Sequence, residues 1–139
     1  MNYILDACAL IAYLKQEPEG IHVKKLLDKA ADANEINVFI FMSIVNLVEV
    51  YYGFIQQEGC VEEADKFIEP VYYLPVHILD TITDTVYRTA SRFKGLYSLS
   101  LADAFAAATA VDLSAVLVTK DHEFETVEKN EHLSVLWIC

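Results

Sequence analysis

Four carboxylates occupy positions where an α/β chain would use acids for chemistry. Asp6 follows the short apolar run Asn2–Leu5, and Asp121 follows residues 115–119 (AVLVT). Glu49 falls in the second turn of a helical pattern after residues 37–41 (NVFIF), and Asp103 in the first turn of an Ala-rich pattern beginning at Leu101. In a parallel sheet, ligands gather beyond the carboxyl ends of the strands, where the returning helices also begin. All four acids therefore belong to one edge, and Asp6 and Asp121 straddle the switch point if their strands are neighbours. Acids drawn together repel one another and raise each other's pKa. A divalent cation relieves that repulsion, and oxygen donors without a His or Cys cluster suit Mg²⁺ or Mn²⁺ rather than Zn²⁺.

Each acid also has a purely structural reading. Asp6 can cap a helix starting near Ala7, Glu49 can be a solvated helix side chain, and Asp121 can cap a short helix over residues 122–127. Asp103 completes Ser100-x-x-Asp103, which resembles a capping box. Asp103 is the hardest to dismiss, because its segment LADAFAAA is apolar almost all round and reads as buried. An ionised carboxylate there costs several kcal/mol unless paired or metal-bound, and no basic residue lies nearby in sequence.

The elements that must hold these acids alternate. Strand patterns over residues 2–5, 37–41, 74–79, 115–119 and 134–138 are near-continuous apolar runs, as expected when both sheet faces are covered. Helical patterns lie over residues 9–14, 21–32, 44–57, 61–73 with a possible break at Pro70, 82–94 stopped by Gly95, and 101–111. Ser43 and Ser100 read as N-caps and Gly59 as a helix stop. The fold class is α/β with a mostly parallel sheet. The 139 residues fit one domain, 1–139, with 55% apolar and 22% charged residues excluding disorder. No run reaches the ~18 apolar residues of a membrane span. No signal peptide is seen, and three Cys are odd in number for a disulfide framework, so a cytoplasmic setting is expected.

In this order, the segments LDACALIA (5–12), NLVEV (46–50), SLADA (100–104) and LVTKDHEF (117–124) resemble the PIN-domain nucleases, and among them the VapC-type toxins of bacterial toxin–antitoxin pairs. The resemblance spans essentially the whole chain. It implies a PIN-like three-layer α/β/α domain with a five-stranded sheet ordered 3-2-1-4-5. It also implies a metal-dependent endoribonuclease leaving a 5′-phosphate and a 3′-hydroxyl. Asp6, Glu49, Asp103 and Asp121 take the four acidic positions, with Asp6, Asp103 and Asp121 as main metal ligands and Glu49 as a ligand or a water-positioning group. Thr119 matches a Thr often found two residues before the last acid. Ala7 and Cys8 depart from the family pattern, which often has hydroxyl residues after the first Asp; the departure removes a hydroxyl that could orient Asp6 or the metal water. A homodimer and an antitoxin protein that covers the acidic pocket are further implications, with RNA as substrate and no membrane partner.

The net charge of −11 excludes a broad basic nucleic-acid face but not a local site. Lys15, Arg88, Arg92, Lys94 and Lys120 are candidate phosphate contacts, Lys120 being nearest the acids in sequence. The aromatics Tyr51, Tyr52, Phe54, Tyr72 and Tyr73 suit core packing by default, or in part a protein-binding surface. Two other readings stand beside the nuclease. One is an inactive PIN-like scaffold for protein binding. The other is a receiver-like module with Asp80 as phosphoacceptor, which lacks the adjacent acidic pair after the first strand and leaves Asp103 unexplained.

Overall fold

The computed structural model describes residues 1–139. Five short strands pair in parallel throughout: β1 (Asn2–Leu5), β2 (Phe39–Ser43), β3 (His77–Leu79), β4 (Val116–Thr119) and β5 (Ser134–Trp137), in the order β3-β2-β1-β4-β5. The sheet is thus wholly parallel. The chain runs outward from β1 through β2 to β3, then crosses back to β4 on the other side of β1, which puts the switch point between β1 and β4.

Side chains alternate across a strand, so each strand feeds two cores. Leu5, Ile40, Met42 and Val118 point to one face, and Ile4 and Leu117 to the other. The first face is covered by α1 (Ala7–Leu14), α2 (Gly20–Ala31), α3 (Ile44–Glu58) and α4 (Val61–Ile68), through residues such as Leu10, Val23, Val50, Phe54 and Ile68. The second is covered by α5 (Asp84–Leu96), α6 (Leu101–Asp112) and α7 (Glu125–Asn130), through Phe93, the alanines of α6 and Val127. This is a three-layer α/β/α domain. Alanines let α6 lie close against the sheet, and the segment from Asp103 to Ala110 is buried except at Phe105.

Several boundaries differ from the sequence reading, each for a local reason. Helix α1 begins at Ala7 because Asp6 caps it directly. Strand β2 runs to Ser43, which is both its last residue and the N-cap of α3, its hydroxyl accepting from the Val45 amide at 3.2 Å. Strand β3 is only three residues long: Pro75 has no amide to give a ladder, and the chain ahead of it is a 3₁₀ turn (Glu69–Tyr73) that follows α4 with Pro70 in its first turn. Helix α5 starts after its N-cap Thr83 and continues through Gly95 to Leu96, since a glycine inside a helix costs only about 1 kcal/mol. Gly59, by contrast, ends α3 at φ +77°, where a side chain would be strained. Gly20 serves close approach instead: a Cβ there would lie 2.4 Å from the Ala12 carbonyl oxygen, so glycine lets α2 start against the end of α1.

Candidate metal centre

The carboxyl ends of β1 and β4 bring Asp6, Thr119 and Asp121 together. Asp6 is 1% exposed. Its Oδ1 caps α1 by accepting from the Ala9 amide at 2.9 Å, and its Oδ2 accepts from the Thr119 hydroxyl at 2.5 Å. The Cys8 thiol donates to the same carboxylate, with Sγ 3.1 Å from Oδ1 and 3.2 Å from Oδ2. The Thr119 oxygen in turn accepts from the Asp121 amide at 2.9 Å. One hydroxyl therefore links the first acid to the backbone of the last. Burial pushes the Asp6 carboxyl up to about 6; the hydrogen bonds from Thr119, Ala9 and Cys8 oppose that rise, and the Asp121 charge adds to it. Burial, and then the Asp6 charge, push the Cys8 thiol up to about 12, so it stays a neutral donor. The orienting role that the sequence reading assigned to a missing hydroxyl is filled here by this thiol together with Thr119.

The second group of acids comes from helix starts. Ser100 caps α6, accepting from the Asp103 amide at 3.1 Å, and this delivers Asp103 in the first turn, 8% exposed. Asp121 caps a 3₁₀ turn (His122–Phe124), its Oδ1 accepting from the Glu123 amide at 2.9 Å. That turn brings a carboxylate oxygen of Glu123 into a group with those of Asp103 and Asp121, all within 4.8 Å of one another. Burial, then the charges of Asp121 and Asp6, lift the Asp103 carboxyl to about 7; Glu49 adds a smaller rise, and Ser100 opposes it. Glu49, on the second turn of α3, is half-buried and is also raised, by burial first and Asp121 second. Its Oε2 is buried without a hydrogen-bond partner. None of the chain's ion pairs involves Asp6, Glu49, Asp103, Asp121 or Glu123.

The structural roles weighed from sequence for Asp6 and Asp121 as caps hold alongside this convergence: one oxygen of each satisfies a helix or turn start. Glu123 was missed. It reads in sequence as part of the acidic stretch 123–131, and the available signal was its place two residues after Asp121 in a short capped turn. The basic residues are mostly engaged. The Lys120 ammonium lies 3.2 Å from Glu17 and 3.7 Å from Glu19, on the turn between α1 and α2, rather than free beside the acids. Arg88 pairs with Asp84, Arg92 with Glu131, and Lys15 donates to Gln57. Asp80 is exposed beyond the edge strand β3, away from the switch point, so the receiver-like reading loses its site. Of the aromatics, Phe54 is buried and stacks on Phe67, and Tyr51 donates to Asp65, whereas Tyr52, Tyr72 and Tyr73 are exposed.

The PIN domain family profile matches residues 3–130. The chain belongs to the PIN domain family. No curated protein sequence matches it. Among solved structures, this PIN domain resembles VapBC2 from Rickettsia felis bound to a promoter DNA fragment, with a TM-score of 0.72 and 20% identity over 98% of each chain. It also resembles VapBC-1 from nontypeable Haemophilus influenzae, with a TM-score of 0.71 and 21% identity over 99% of this chain and 98% of the other. A third, VapBC-5 from Mycobacterium tuberculosis, a member of the VapBC family of toxin–antitoxin systems, gives 0.61 and 17% over 98% of each chain. At these identities the likeness is one of fold, and this chain's sheet has the order 3-2-1-4-5 that the resemblance implied.

Proposed function

We propose that this PIN domain is a Mg²⁺- or Mn²⁺-dependent endoribonuclease and the toxin of a toxin–antitoxin pair. The observation that carries the reading is the set of carboxylates from β1, α3, α6 and the turn after β4 that share one sheet edge with no lysine or arginine paired to any of them. Mutually repelling carboxylates, of which Asp6 and Asp103 are buried, are stabilised by a cation, and an all-oxygen donor set fits a hard one. Asp103 and Asp121 with Asp6 would hold the ion, and Glu123 extends the set. The bound ion would lower the pKa of a water and neutralise a phosphodiester's charge.

The chain's own groups do the rest. Thr119 and Cys8 keep the Asp6 carboxylate in one orientation and spend their protons on it. The Glu49 Oε2, with no protein donor, is free to accept a proton from an attacking water. Water attack on phosphorus that breaks the bond to the 3′-oxygen, which leaves protonated, gives a 5′-phosphate and a 3′-hydroxyl. Lys120, released from Glu17 and Glu19, is the basic side chain nearest the acids in sequence for a phosphate contact.

An antitoxin segment that blocks the acids would have a groove at the turn between α1 and α2 to extend into. This groove, about 650 Å³, is lined by Tyr13, Glu17, Ile21, Lys24, Phe67 and Pro70, and Glu17 pairs with Lys120, the residue before Asp121. No helix is long and apolar enough to cross a membrane, and the three cysteines are free, which supports a cytoplasmic setting.

The test incubates purified protein, freed of any copurifying partner, with mixed structured RNAs in Mg²⁺, Mn²⁺ or EDTA, beside Asp6→Asn and Asp103→Asn. Cutting with either metal, loss in EDTA and in both variants, and 5′-phosphate ends are expected. Ends bearing a 2′,3′-cyclic phosphate, or cutting unchanged in EDTA, would overturn the mechanism. A folded protein that binds metal yet cuts no RNA favours the scaffold reading.

A further inference from the structure

The metal-centre reading leaves open how acids of one sign, carried on four separate elements, are kept facing one another. Between β1 and β4 the link is Thr119, bonded to both Asp6 and the Asp121 amide. Between α3 and α6 one side-chain hydrogen bond crosses: Asn46 Nδ2 donates to the Ala102 carbonyl oxygen at 3.1 Å. Its two ends are placed for a purpose. Asn46 precedes Glu49 by three residues, so both lie on one face of α3, and Ala102 directly precedes Asp103.

Asn46 is fully buried, and its Oδ1 has no donor. An apolar side chain of similar size would remove that unmet acceptor, so the amide costs stability where it stands. The other fully or nearly buried polar side chains serve evident local ends. Asp6 and Ser43 cap helices, Thr109 bonds within its own helix to the Phe105 carbonyl, Thr119 holds Asp6, and Asp103 belongs to the acid group itself. Asn46 alone spends its donor on a different helix. The carbonyl also fixes the amide's orientation, since turning it over would set two oxygens against each other. That leaves two buried acceptors without partners, Asn46 Oδ1 and Glu49 Oε2, one turn apart on α3.

We propose that Asn46 is a positioning residue of the acid centre: its amide ties α3 to the first turn of α6, so that Glu49 is held beside the acids that would bind the cation. It touches no reacting atom. The proposal rests on the metal-centre reading, and its test separates the two. Mn²⁺ affinity is measured without RNA, by calorimetry and by the electron paramagnetic resonance signal of bound Mn²⁺, alongside thermal unfolding. The proteins are wild type, Asn46→Leu, Asn46→Ser, and Val50→Ala, whose side chain is buried in the core of the first sheet face and makes no hydrogen bond. Losing a group that orients metal ligands typically costs about 10- to 100-fold in affinity. Asn46→Leu and Asn46→Ser are expected to bind Mn²⁺ at least tenfold more weakly than wild type, with an altered resonance line shape. Val50→Ala is expected to unfold at lower temperature yet bind like wild type. Asn46→Ser, small and polar, carries the test if the leucine variant does not fold. Wild-type affinity and line shape in a folded Asn46 variant would overturn the positioning role and leave the metal centre standing. Absence of Mn²⁺ binding by wild type would overturn the metal-centre reading itself and the positioning role with it.

Discussion

Two corners of the acid cluster are built on opposite principles. At the β1–β4 corner every oxygen of Asp6 is satisfied by the protein itself, through Ala9, Thr119 and Cys8. At the α6 corner, Asp103, Asp121 and Glu123 bring carboxylates within 4.8 Å and set no protein cation against them. The first corner is pre-oriented by hydrogen bonds, and the second is held against its own repulsion by helix and turn starts. Burial raises both Asp6 and Asp103, but at Asp6 three hydrogen bonds pull the value back to about 6, whereas Asp103 reaches about 7 under three like charges. The contrast teaches that one acid is fixed by the protein alone, while the others keep an energetic deficit that the proposed cation would relieve.

The largest effect is expected from breaking the strained corner. On the proposed function Asp103→Asn removes a metal ligand, a loss of about 3 kcal/mol or more, so cleavage should fall by about a hundredfold or more. The same change should raise the unfolding temperature in EDTA above pH 7, because it deletes a repelled charge. Activity lost together with stability would instead place Asp103 on the structural side of the comparison.

The metal-free protein should also lose stability as pH rises. Asp6 and Asp103 are raised in the folded state, so between the ordinary carboxylate range and about pH 7 the folded chain binds more protons than the unfolded chain. Stability therefore declines from about pH 4 to about pH 7 and these two groups contribute no further loss above that. Urea unfolding in EDTA across this range measures the slope, and saturating Mn²⁺ above pH 7 should reverse it. A slope of opposite sign would mean that the cluster is already neutralised by the protein.

Next in size is the satisfied corner. Thr119→Val keeps shape but strips a bond from Asp6 Oδ2 and leaves the Asp121 amide without its acceptor, at a cost of about 1–3 kcal/mol in urea unfolding. The smallest effect is chemical. With its thiol held up to about 12, Cys8 should resist alkylation by iodoacetamide at pH 8, whereas exposed Cys139 is labelled, as read by peptide mass spectrometry. Equal labelling would mean that Cys8 does not donate to Asp6 as described.

Much of this was legible in the chain because strand ends and helix caps are local signals. Asp6, Ser43 and Ser100 stand at element boundaries and each caps the helix it was expected to cap, while Asp121 caps a 3₁₀ turn over residues 122–124 where a short helix over 122–127 was expected. What lay beyond reach depended on distance or on competing local signals. The Thr119–Asp6 and Asn46–Ala102 bonds join residues far apart in sequence, and Lys120 meets Glu17 only because β4 ends beside the α1–α2 turn. Gly95 looked like a helix stop, yet packing of Phe93 and Ala90 carries α5 through it. Glu123 was hidden in a run of acids, and only the turn after β4 singles it out.

The central claim is that these acids form a cation site, and a calorimetric titration of metal-free protein with Mn²⁺ at pH 7.5 tests it most directly. Saturable binding that EDTA reverses, that raises the unfolding temperature, and that Asp103→Asn abolishes is the predicted result. A folded wild-type protein that takes up no Mn²⁺ and no Mg²⁺, with an unfolding temperature unmoved by either, would contradict it.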